Sequence, residues 1–355
     1  MSRQRELIDK SFYKYQDTLF CEVPAQAANA LLDFQRAEFC PDSRQQDETF
    51  NRWMYQDNSA NRRIYCLRDE QVVGQQSAIA MPLSIKGKIL DAACAIDLRV
   101  RPEWKMKGLG VALIGALMHR YPLLIGLGIS DEAYTMFKRQ GWQDMGQLDY
   151  MVKPISFRSL DDNDELIDKL KKKIATLYSL WSDKISKSDH RGYQLSPISE
   201  FSEAHADLYH VYTDNHFTQL KTLLQLQWRY TNSPRNRYQC LQLTKADNRP
   251  LAMLIARRVE QNGRNIIQLS EVVCENKYGS ILIVCFIAWC KQQGIDLIIY
   301  QGLESVLNPV LKARGFIKRS YGSRFMFYTD NPELSEQLRD KSRWRICFSD
   351  SDMDF

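Results

Sequence analysis

Three short patterns occur twice in this chain, and each second copy lies 174 positions after the first. The matched pairs are Asp97-x-x-Val100 with Glu271-x-x-Cys274, Phe137-Lys138-x-x-Gly141-Trp142 with Leu311-Lys312-x-x-Gly315-Phe316, and Tyr150-Met151-Val152 with Arg324-Phe325-Met326. A fixed spacing that holds over several elements indicates that one fold has been duplicated. With 355 residues and 44% hydrophobic content, the chain is long enough for each copy to bury a core of its own.

The most informative local pattern follows Asp97 in the first copy. Residues 96–100 read as an apolar strand, Arg101 to Gly110 as a basic loop that ends in Gly-Leu-Gly, and Val111 to Met118 as a nearly uncharged helix. The first turn of a helix has N–H groups without intrahelical partners and a positive dipole end, so this pattern predicts an anion site. The second copy has only the shorter loop 275–280 here, which favours the first copy as the ligand-binding one.

Hydrophobic spacing and turn residues predict the other elements of the first half. Residues 1–20 alternate charged and aromatic side chains and are expected to form an N-terminal strand or arm. Residues 42–48 are polar, and we expect a loop without a functional signal. The remaining predictions are a helix in 25–39, a hairpin in 63–83, strands in 89–100 and 123–129, a helix in 132–140 between Ser130-Asp131 and Gly141, and two strands in 142–154.

The sequence also predicts where the two copies are separated. Residues 157–198 contain a charged stretch with an apolar stripe at helical spacing, which is typical of a connecting helix. The predicted units are residues 1–156, the connecting helix 157–198, a second domain 199–336, and a C-terminal strand with an acidic tail in 337–355. The tail lacks the spacing and the distal glutamate of a calcium loop, so we expect a solvated acidic end.

Composition limits the classes of function. The chain has no apolar run of about 18 residues or more and no signal-peptide pattern, so we expect a soluble cytoplasmic protein without membrane contact. Nine cysteines and five histidines are scattered without regular spacing, which favours reduced thiols and predicts no metal site. A net charge of +5 without basic runs interleaved with aromatics gives no indication of nucleic-acid binding.

Lys105-x-x-Gly108-x-Gly110 between a strand and an apolar helix, followed by Phe137-x-x-x-Gly141-Trp142, resembles the GNAT superfamily of N-acyltransferases. The resemblance covers roughly residues 64–154, and the second half looks like a diverged copy, as in tandem GNAT and FemAB-like proteins. It implies an α/β (α+β) fold with two GNAT-like domains. Each domain would be a central mixed twisted sheet flanked by helices.

The resemblance also implies a binding site for acetyl-CoA or another acyl-CoA. The backbone of Lys107, Gly108, Leu109, Gly110 and Val111 would bind the pyrophosphate, and the pantetheine would lie along the strand that contains Leu98 and Val100. Three positions depart from the usual family residues. They are Lys105 in place of arginine or glutamine, Ser130 in place of asparagine, and Phe137 in place of a tyrosine that protonates the leaving thiolate.

Acyl transfer to an amine needs a base and a proton donor as well as a cofactor site. Asp97 is the best-placed carboxylate for the base, and on a regular strand it would share a face with Arg99 and Arg101, opposite Ile96, Leu98 and Val100. An ion pair with Arg99 accounts for Asp97 equally well. Glu271 is its counterpart in the second copy. Because a phenyl ring has no proton to donate, Tyr134, one turn before Phe137, is the candidate acid.

These observations predict an N-acyltransferase that moves an acyl group, with acetyl the first choice, from acyl-CoA to a small primary amine such as an amino sugar or an amino-acid derivative. Two alternatives stay open. The chain could be a non-catalytic acyl-CoA-binding module, because Phe137 replaces the usual acid, or a FemAB-like aminoacyl-tRNA-dependent transferase, which would have no affinity for CoA. The sequence does not indicate an oligomeric state.

Overall fold

The computed structural model describes residues 3–21, 27–156, 173, 177, 192–261, 263–320 and 322–354. In this part of the chain the α-helices are α1 (Arg3–Tyr15), α2 (Ala28–Glu38), α3 (Glu48–Tyr55), α4 (Leu109–Arg120), α5 (Asp131–Arg139), α6 (Glu203–Asp207), α7 (Leu223–Leu226), α8 (Asn276–Gln292), α9 (Leu307–Ala313) and α10 (Pro332–Leu338).

The strands number eighteen in the same described residues. They are β1 (Leu19–Phe20), β2 (Arg62–Arg68), β3 (Gln71–Ala80), β4 (Leu83–Ile85), β5 (Lys88–Leu90), β6 (Ala92–Val100), β7 (Leu123–Leu127), β8 (Gln143–Gln147), β9 (Asp149–Pro154), β10 (Gln194–Pro197), β11 (Thr218–Gln219), β12 (Tyr238–Thr244), β13 (Ala252–Gln261), β14 (Arg264–Cys274), β15 (Leu297–Leu303), β16 (Ile317–Arg319), β17 (Arg324–Tyr328) and β18 (Ile346–Cys347).

The first sheet has the strand order β1-β2-β3-β6-β7-β17-β8. Its neighbours are antiparallel except for β6 and β7, which run parallel and are joined through α4. Helices α1, α4 and α5 cover one face, where Ile8, Leu113 and Phe137 belong to one apolar cluster. Helix α3 covers the other face through Phe50 and Trp53.

The second sheet repeats this arrangement with the order β10-β12-β13-β14-β15-β9-β16, and β18 also pairs with β15. Its parallel pair is β14 and β15, joined through α8. The elements β6, β7, α5, β8 and β9 of the first half correspond to β14, β15, α9, β16 and β17 at the 174-position spacing, to within a few residues. The fold is therefore mixed α/β with two sheets flanked by helices. A small third sheet joins β11 to the hairpin of β4 and β5.

The two halves exchange their last corresponding strands. Strand β9 belongs to the first half of the sequence but lies between β15 and β16 of the second sheet, and β17 lies between β7 and β8 of the first sheet. Each core therefore contains side chains from the other half: Phe325 and Phe327 pack with Phe50, and Met151 packs in the core of the second sheet. Because of this exchange, dividing the chain between residues 156 and 199 does not separate the two sheets from each other.

Two sequence expectations about the ends of the chain are wrong. Residues 3–15 form a helix, not a strand or arm, because Ile8, Phe12 and Tyr15 lie at helical spacing and turn toward α4. The acidic tail is not solvated, since Ser349, Asp350, Ser351 and Asp354 are buried.

The predicted connecting helix lies mostly outside the described residues. Lys173 and Leu177 are helical, whereas Gln194–Pro197 form a strand paired with β12. No helix in the described part of the chain has the length and apolar character needed to cross a membrane.

Candidate functional site

The predicted anion site is a left-handed turn that leads into α4. Gly108 is the residue before the helix and has a φ of 86°, a conformation that a residue with a Cβ adopts only with strain. Leu109 is fully buried and fixes the helix on the sheet, while Lys105 and Lys107 are exposed on the loop. The N–H groups of the first helical turn have no intrahelical acceptors. The turn can therefore bind an anion through its backbone.

The parallel strands β6 and β7 separate in front of this turn. They pair only over Ala92 to Cys94 and Leu123 to Ile125, after which β6 continues to Val100 while β7 ends at Leu127. Beyond Cys94 and Ile125 the two strands form no further ladder pairs, and we call this unpaired region between them the wedge. Leu98 and Val100 pack on the α4 side of the sheet, and a Cβ added to Gly110 would lie 4.0 Å from Val100. The wedge and the helix start thus lie side by side.

A β-bulge places Asp97 beside the wedge. Asp97 has a φ of 54°, and the pairing of β6 with β3 shifts register next to it. The bulge breaks the alternation expected from the sequence: Ile96 packs on the α3 side of the sheet, whereas Leu98 and Val100 pack on the α4 side. The expectation that these three side chains share one face is wrong, because a bulge adds one residue to the strand.

The Asp97 carboxylate is held by two residues of a short 3-10 helix, Arg44–Gln46, in the segment that was predicted as a polar loop. Oδ1 accepts hydrogen bonds from Arg44 at 3.1 Å and from Gln45 at 2.8 Å. Among the described residues, Oδ2 accepts no hydrogen bond. In the described part of the chain, Asp97 forms its ion pair with Arg44 and not with Arg99. Arg44 and Gln45 lie in a polar segment whose sequence has no spacing pattern, so sequence reasoning had no signal for them.

The C-terminal tail closes this side of the wedge. Arg44 also pairs with Asp352, so one guanidinium joins two carboxylates. Burial lowers the pKa of Arg44, but the charges of Asp97 and Asp352 outweigh it and raise that pKa above its ordinary value. Burial raises the pKa of Asp352. Met353 covers Gly128 just after β7, where an added Cβ would lie 3.1 Å from its sulfur.

Tyr134 lies on α5 with its hydroxyl engaged. It donates a hydrogen bond of 2.5 Å to Asp144 on β8, and the Arg324 guanidinium lies 4.6 Å from its ring centre. Partial burial raises the pKa of Asp144, but the hydrogen bond from Tyr134 contributes to a net lowering. The structure therefore brings Tyr134 to Asp144, while Asp97 is bound to Arg44 and Gln45.

Phe137 and Ser130 have structural contacts on the same helix. Phe137 is 4% exposed and stacks on Trp142 with ring centres 4.3 Å apart. Ser130 is the N-cap of α5, and its hydroxyl accepts a hydrogen bond from the N–H of Ala133 at 3.3 Å. Capping and stacking account for both residues here.

The corresponding wedge of the second sheet is filled by the chain itself. Strand β18 pairs with Gly302 and Leu303 of β15, and a Cβ added to Gly302 would lie 2.5 Å from the carbonyl oxygen of Ile346. Arg345 reaches across to β14, where it binds Glu271 at 2.9 Å and the carbonyl of Val272. A ligand could enter this wedge only by displacing a paired strand.

Glu271, the counterpart of Asp97, is buried in a network of charges. Lys221 lies between it and Asp350, at 2.7 Å and 2.9 Å, and Tyr230 donates to it at 2.9 Å. Burial raises the pKa of Glu271, but the charges of Lys221 and Arg345 outweigh it and hold that pKa below its ordinary value. Such a fully paired carboxylate is suited to holding the tail, not to accepting a proton.

Two further features lie in the second half. Glu271, Cys347 and Asp350 bring possible metal-ligand atoms within 4.8 Å of one another, but the Lys221 ammonium lies against both carboxylates. A cavity of about 330 Å³ lies at the start of α8, lined by residues that include Tyr212, His216 and Lys277. It is remote in sequence from the predicted cofactor residues.

Comparisons with known proteins identify the fold. No family model matches the sequence, and no curated protein sequence matches it. Among solved structures, a GCN5-related N-acetyltransferase from Anabaena variabilis is similar with a TM-score of 0.61 and 14% identity, over 88% of this chain and 72% of that chain. A probable N-acyltransferase of unknown function from Enterococcus faecalis is similar with a TM-score of 0.61 and 12% identity, over 88% and 72%.

The N-myristoyltransferase of Saccharomyces cerevisiae, solved with bound myristoyl-CoA, is similar with a TM-score of 0.54 and 11% identity, over 88% of this chain and 83% of that chain. At these identities the likeness shows the fold. The fold is that of the GNAT-type N-acyltransferases, so the resemblance predicted from the Gly-Leu-Gly pattern is confirmed at the level of the fold.

Proposed function

We propose that this protein is an N-acyltransferase that uses the first copy of its fold to bind acyl-CoA, with acetyl-CoA the first candidate. The observation that carries the proposal is the wedge between β6 and β7, which opens beside the left-handed Gly108 turn and has Asp97 in a bulge at its side. The similar solved structures support acyl transfer as the chemistry, and one of them has myristoyl-CoA bound.

In the proposed site, the N–H groups of residues 107–111 bind the pyrophosphate, and the edge of β6 at Leu98 and Val100 binds the pantetheine. Lys105 and Lys107 add positive charge beside it. The thioester then lies in the wedge near Asp97. The strand that fills the second wedge supports assigning acyl-CoA to the first copy alone.

The proposed reaction begins with a protonated primary amine. Oδ2 of Asp97 removes a proton, while Arg44 and Gln45 hold the other oxygen and so fix the carboxylate. The amine nitrogen attacks the thioester carbonyl carbon, the C–S bond breaks, and the CoA thiolate leaves. Tyr134 is the candidate to protonate the thiolate, after its hydroxyl gives up the bond to Asp144. The attacking nitrogen loses its second proton to the resulting tyrosinate as the amide forms, so the products are the amide and the free CoA thiol, with Tyr134 neutral again and one proton left on Asp97. For the acceptor we propose an amino sugar or an amino-acid derivative, by analogy of fold alone.

A non-catalytic acyl-CoA-binding module is the second candidate. Phe137 is stacked in the core and the Tyr134 hydroxyl is bound to Asp144, so a proton donor for the thiolate is not in place in this conformation. The two candidates share the cofactor site and differ only in turnover.

Release of free thiol from acetyl-CoA over a panel of primary amines tests the proposal. Asp97→Asn is the informative variant, because asparagine tolerates a positive φ and can still accept from Gln45 but is not a base. We expect it to bind acetyl-CoA normally and to lose about 10²- to 10⁴-fold in turnover.

Asp91→Asn, a half-exposed carboxylate just before β6 that pairs with Arg120, is the matched control and should retain full activity. Binding of acetyl-CoA without thiol release on any amine would favour the module. A wild-type protein without affinity for acetyl-CoA would contradict both candidates.

A further inference from the structure

Helix α1 is docked along α4 in the opposite direction. Ile8 is 1% exposed and lies against Gly115, where an added Cβ would be 3.1 Å from its methyl group. At the first turn of α1, Arg5 lies 3.1 Å from Nδ1 of His119, near the end of α4. The last turn of α1 therefore lies at the start of α4.

Three side chains on one face of α1 reach the Gly108 turn. Tyr15, which is 2% exposed, donates a hydrogen bond of 3.0 Å from its hydroxyl to the carbonyl oxygen of Lys107. Lys14 approaches the same oxygen at 3.4 Å. The hydroxyl of Ser11 lies 3.6 Å from the position of a Cβ on Gly108. The Lys107 carbonyl thus points toward α1.

The direction of that carbonyl fixes the N–H of the next residue. A trans peptide is planar, and its C=O and N–H point in opposite directions. Because the Lys107 oxygen is bound by α1, the Gly108 N–H points away from α1. On that side, an anion at the helix start can accept a hydrogen bond from the Gly108 N–H, together with those from the N–H groups of Leu109 and Gly110.

Glycine makes this orientation dependent on an external contact. Gly108 has no Cβ to restrict its backbone, so the peptide between Lys107 and Gly108 can rotate between both orientations at little cost. In the reversed orientation, a carbonyl oxygen would face the anion and repel it. A buried phenol that binds the carbonyl removes that freedom before the ligand arrives, which is preorganisation of the site.

We propose that Tyr15 is a positioning residue of the cofactor site, through which α1 holds the Lys107–Gly108 peptide with its N–H directed at the pyrophosphate of acyl-CoA. The inference rests on the proposed function. It makes α1, an element outside the Gly-Leu-Gly pattern, part of the binding site without contact to the ligand.

Calorimetric titration with CoA and with inorganic pyrophosphate tests this role. Tyr15→Phe keeps the buried ring and removes only the hydroxyl. We expect its Kd for both ligands to rise by the same factor, about five- to tenfold, at unchanged stoichiometry. Merely structural damage would lower the binding-competent fraction, and so the stoichiometry, at unchanged Kd. Tyr13→Phe is the control, since Tyr13 lies on the same helix and is 59% exposed, and it should bind like the wild type.

The outcomes separate the inference from the proposed function. If the wild type binds CoA and Tyr15→Phe binds it within twofold, or if Tyr13→Phe weakens binding equally, the positioning role is overturned and the cofactor site stands. A rise in Kd for CoA without one for pyrophosphate also overturns it, because the effect would then lie elsewhere on the ligand. If the wild type binds neither ligand, the proposed function itself is contradicted.

Discussion

At the scale of single residues, the buried carboxyl of Glu304 makes stability depend on pH. Glu304 follows β15, is 5% exposed, and lies 3.6 Å from Nε of Arg345. Burial raises its pKa to about 7, although Arg345 acts in the opposite direction. The folded state therefore holds this proton more tightly than the unfolded chain, where a glutamate titrates near its ordinary value of about 4.3.

The sign of the effect follows from this difference. Stability from the protonated carboxyl is fully present below the unfolded pKa and is lost as pH rises through about 7. Glu304→Gln has a neutral side chain of the same shape, so it should equal the wild type below about pH 4, where the glutamate is protonated in both states. At pH 8 we expect the variant to be more stable by about 3–4 kcal/mol. Urea unfolding at the two pH values measures this difference. The same change in the free energy of unfolding for wild type and variant would contradict the prediction.

At the same scale, the sequence predicts features that depend on local backbone conformation. It does not predict side-chain partners that only the tertiary fold brings together. The loop ending in Gly108-Leu109-Gly110 was predicted to lead into a helix, and it does, although α4 begins at Leu109 and not at Val111 because only Gly108 has the left-handed conformation. The partners of Asp97 could not be predicted, since Arg44 and Gln45 come from a segment about fifty positions away. Asp352, the other partner of Arg44, comes from the far end of the chain. A one-residue bulge also reversed the face of Ile96, which period-two reasoning cannot anticipate.

At the scale of elements, the start of α4 separates two glycines that look alike in the sequence. Gly108 has a positive φ, whereas Gly110 is helical and an added Cβ would meet the Met136 sulfur at 3.5 Å and Val100 at 4.0 Å, both ordinary contacts. We expect Gly108→Ala to lower the free energy of unfolding by about 1–2 kcal/mol. Gly110→Ala should be neutral or stabilise by up to about 1 kcal/mol, because alanine favours the helix.

Urea unfolding of both variants measures the two changes in the free energy of unfolding, provided that its slope against urea concentration is the same as in the wild type. Equal losses for the two glycines would show that the left-handed turn is not what Gly108 provides.

Among the elements themselves, those with strong local periodicity were predicted, including α2 over its described residues, α5, and the hairpin of β2 and β3. Helix α1 was missed because its aromatic residues were interpreted as strand alternation, although Ile8, Phe12 and Tyr15 follow helical spacing.

At the scale of the whole molecule, the repeat was predicted but the exchange of β9 and β17 was not. Both strands keep the 174-position spacing, so the sequence is the same whether each strand pairs within its own half or in the other. The burial of the acidic tail has a similar origin. Its carboxylates are buried because Lys221, Arg229 and Arg44 approach from other elements, and only the fold brings these cations to them.

The exchange predicts that the two sheets unfold together. Phe327 lies on β17, is fully buried in the core of the first sheet, and is covalently part of the second half. Phe327→Ala should destabilise by about 3–5 kcal/mol. Because losing β17 from the first sheet also frees the chain segment that leads to the tail and β18, we expect hydrogen exchange to accelerate in β3 of the first sheet and in β14 of the second by the same factor.

Leu224→Ala, at a side chain that is 76% exposed, is the control and should leave both exchange rates unchanged. Faster exchange confined to the first sheet would mean that the halves unfold independently, and that the exchanged strands join two domains without making them one cooperative unit.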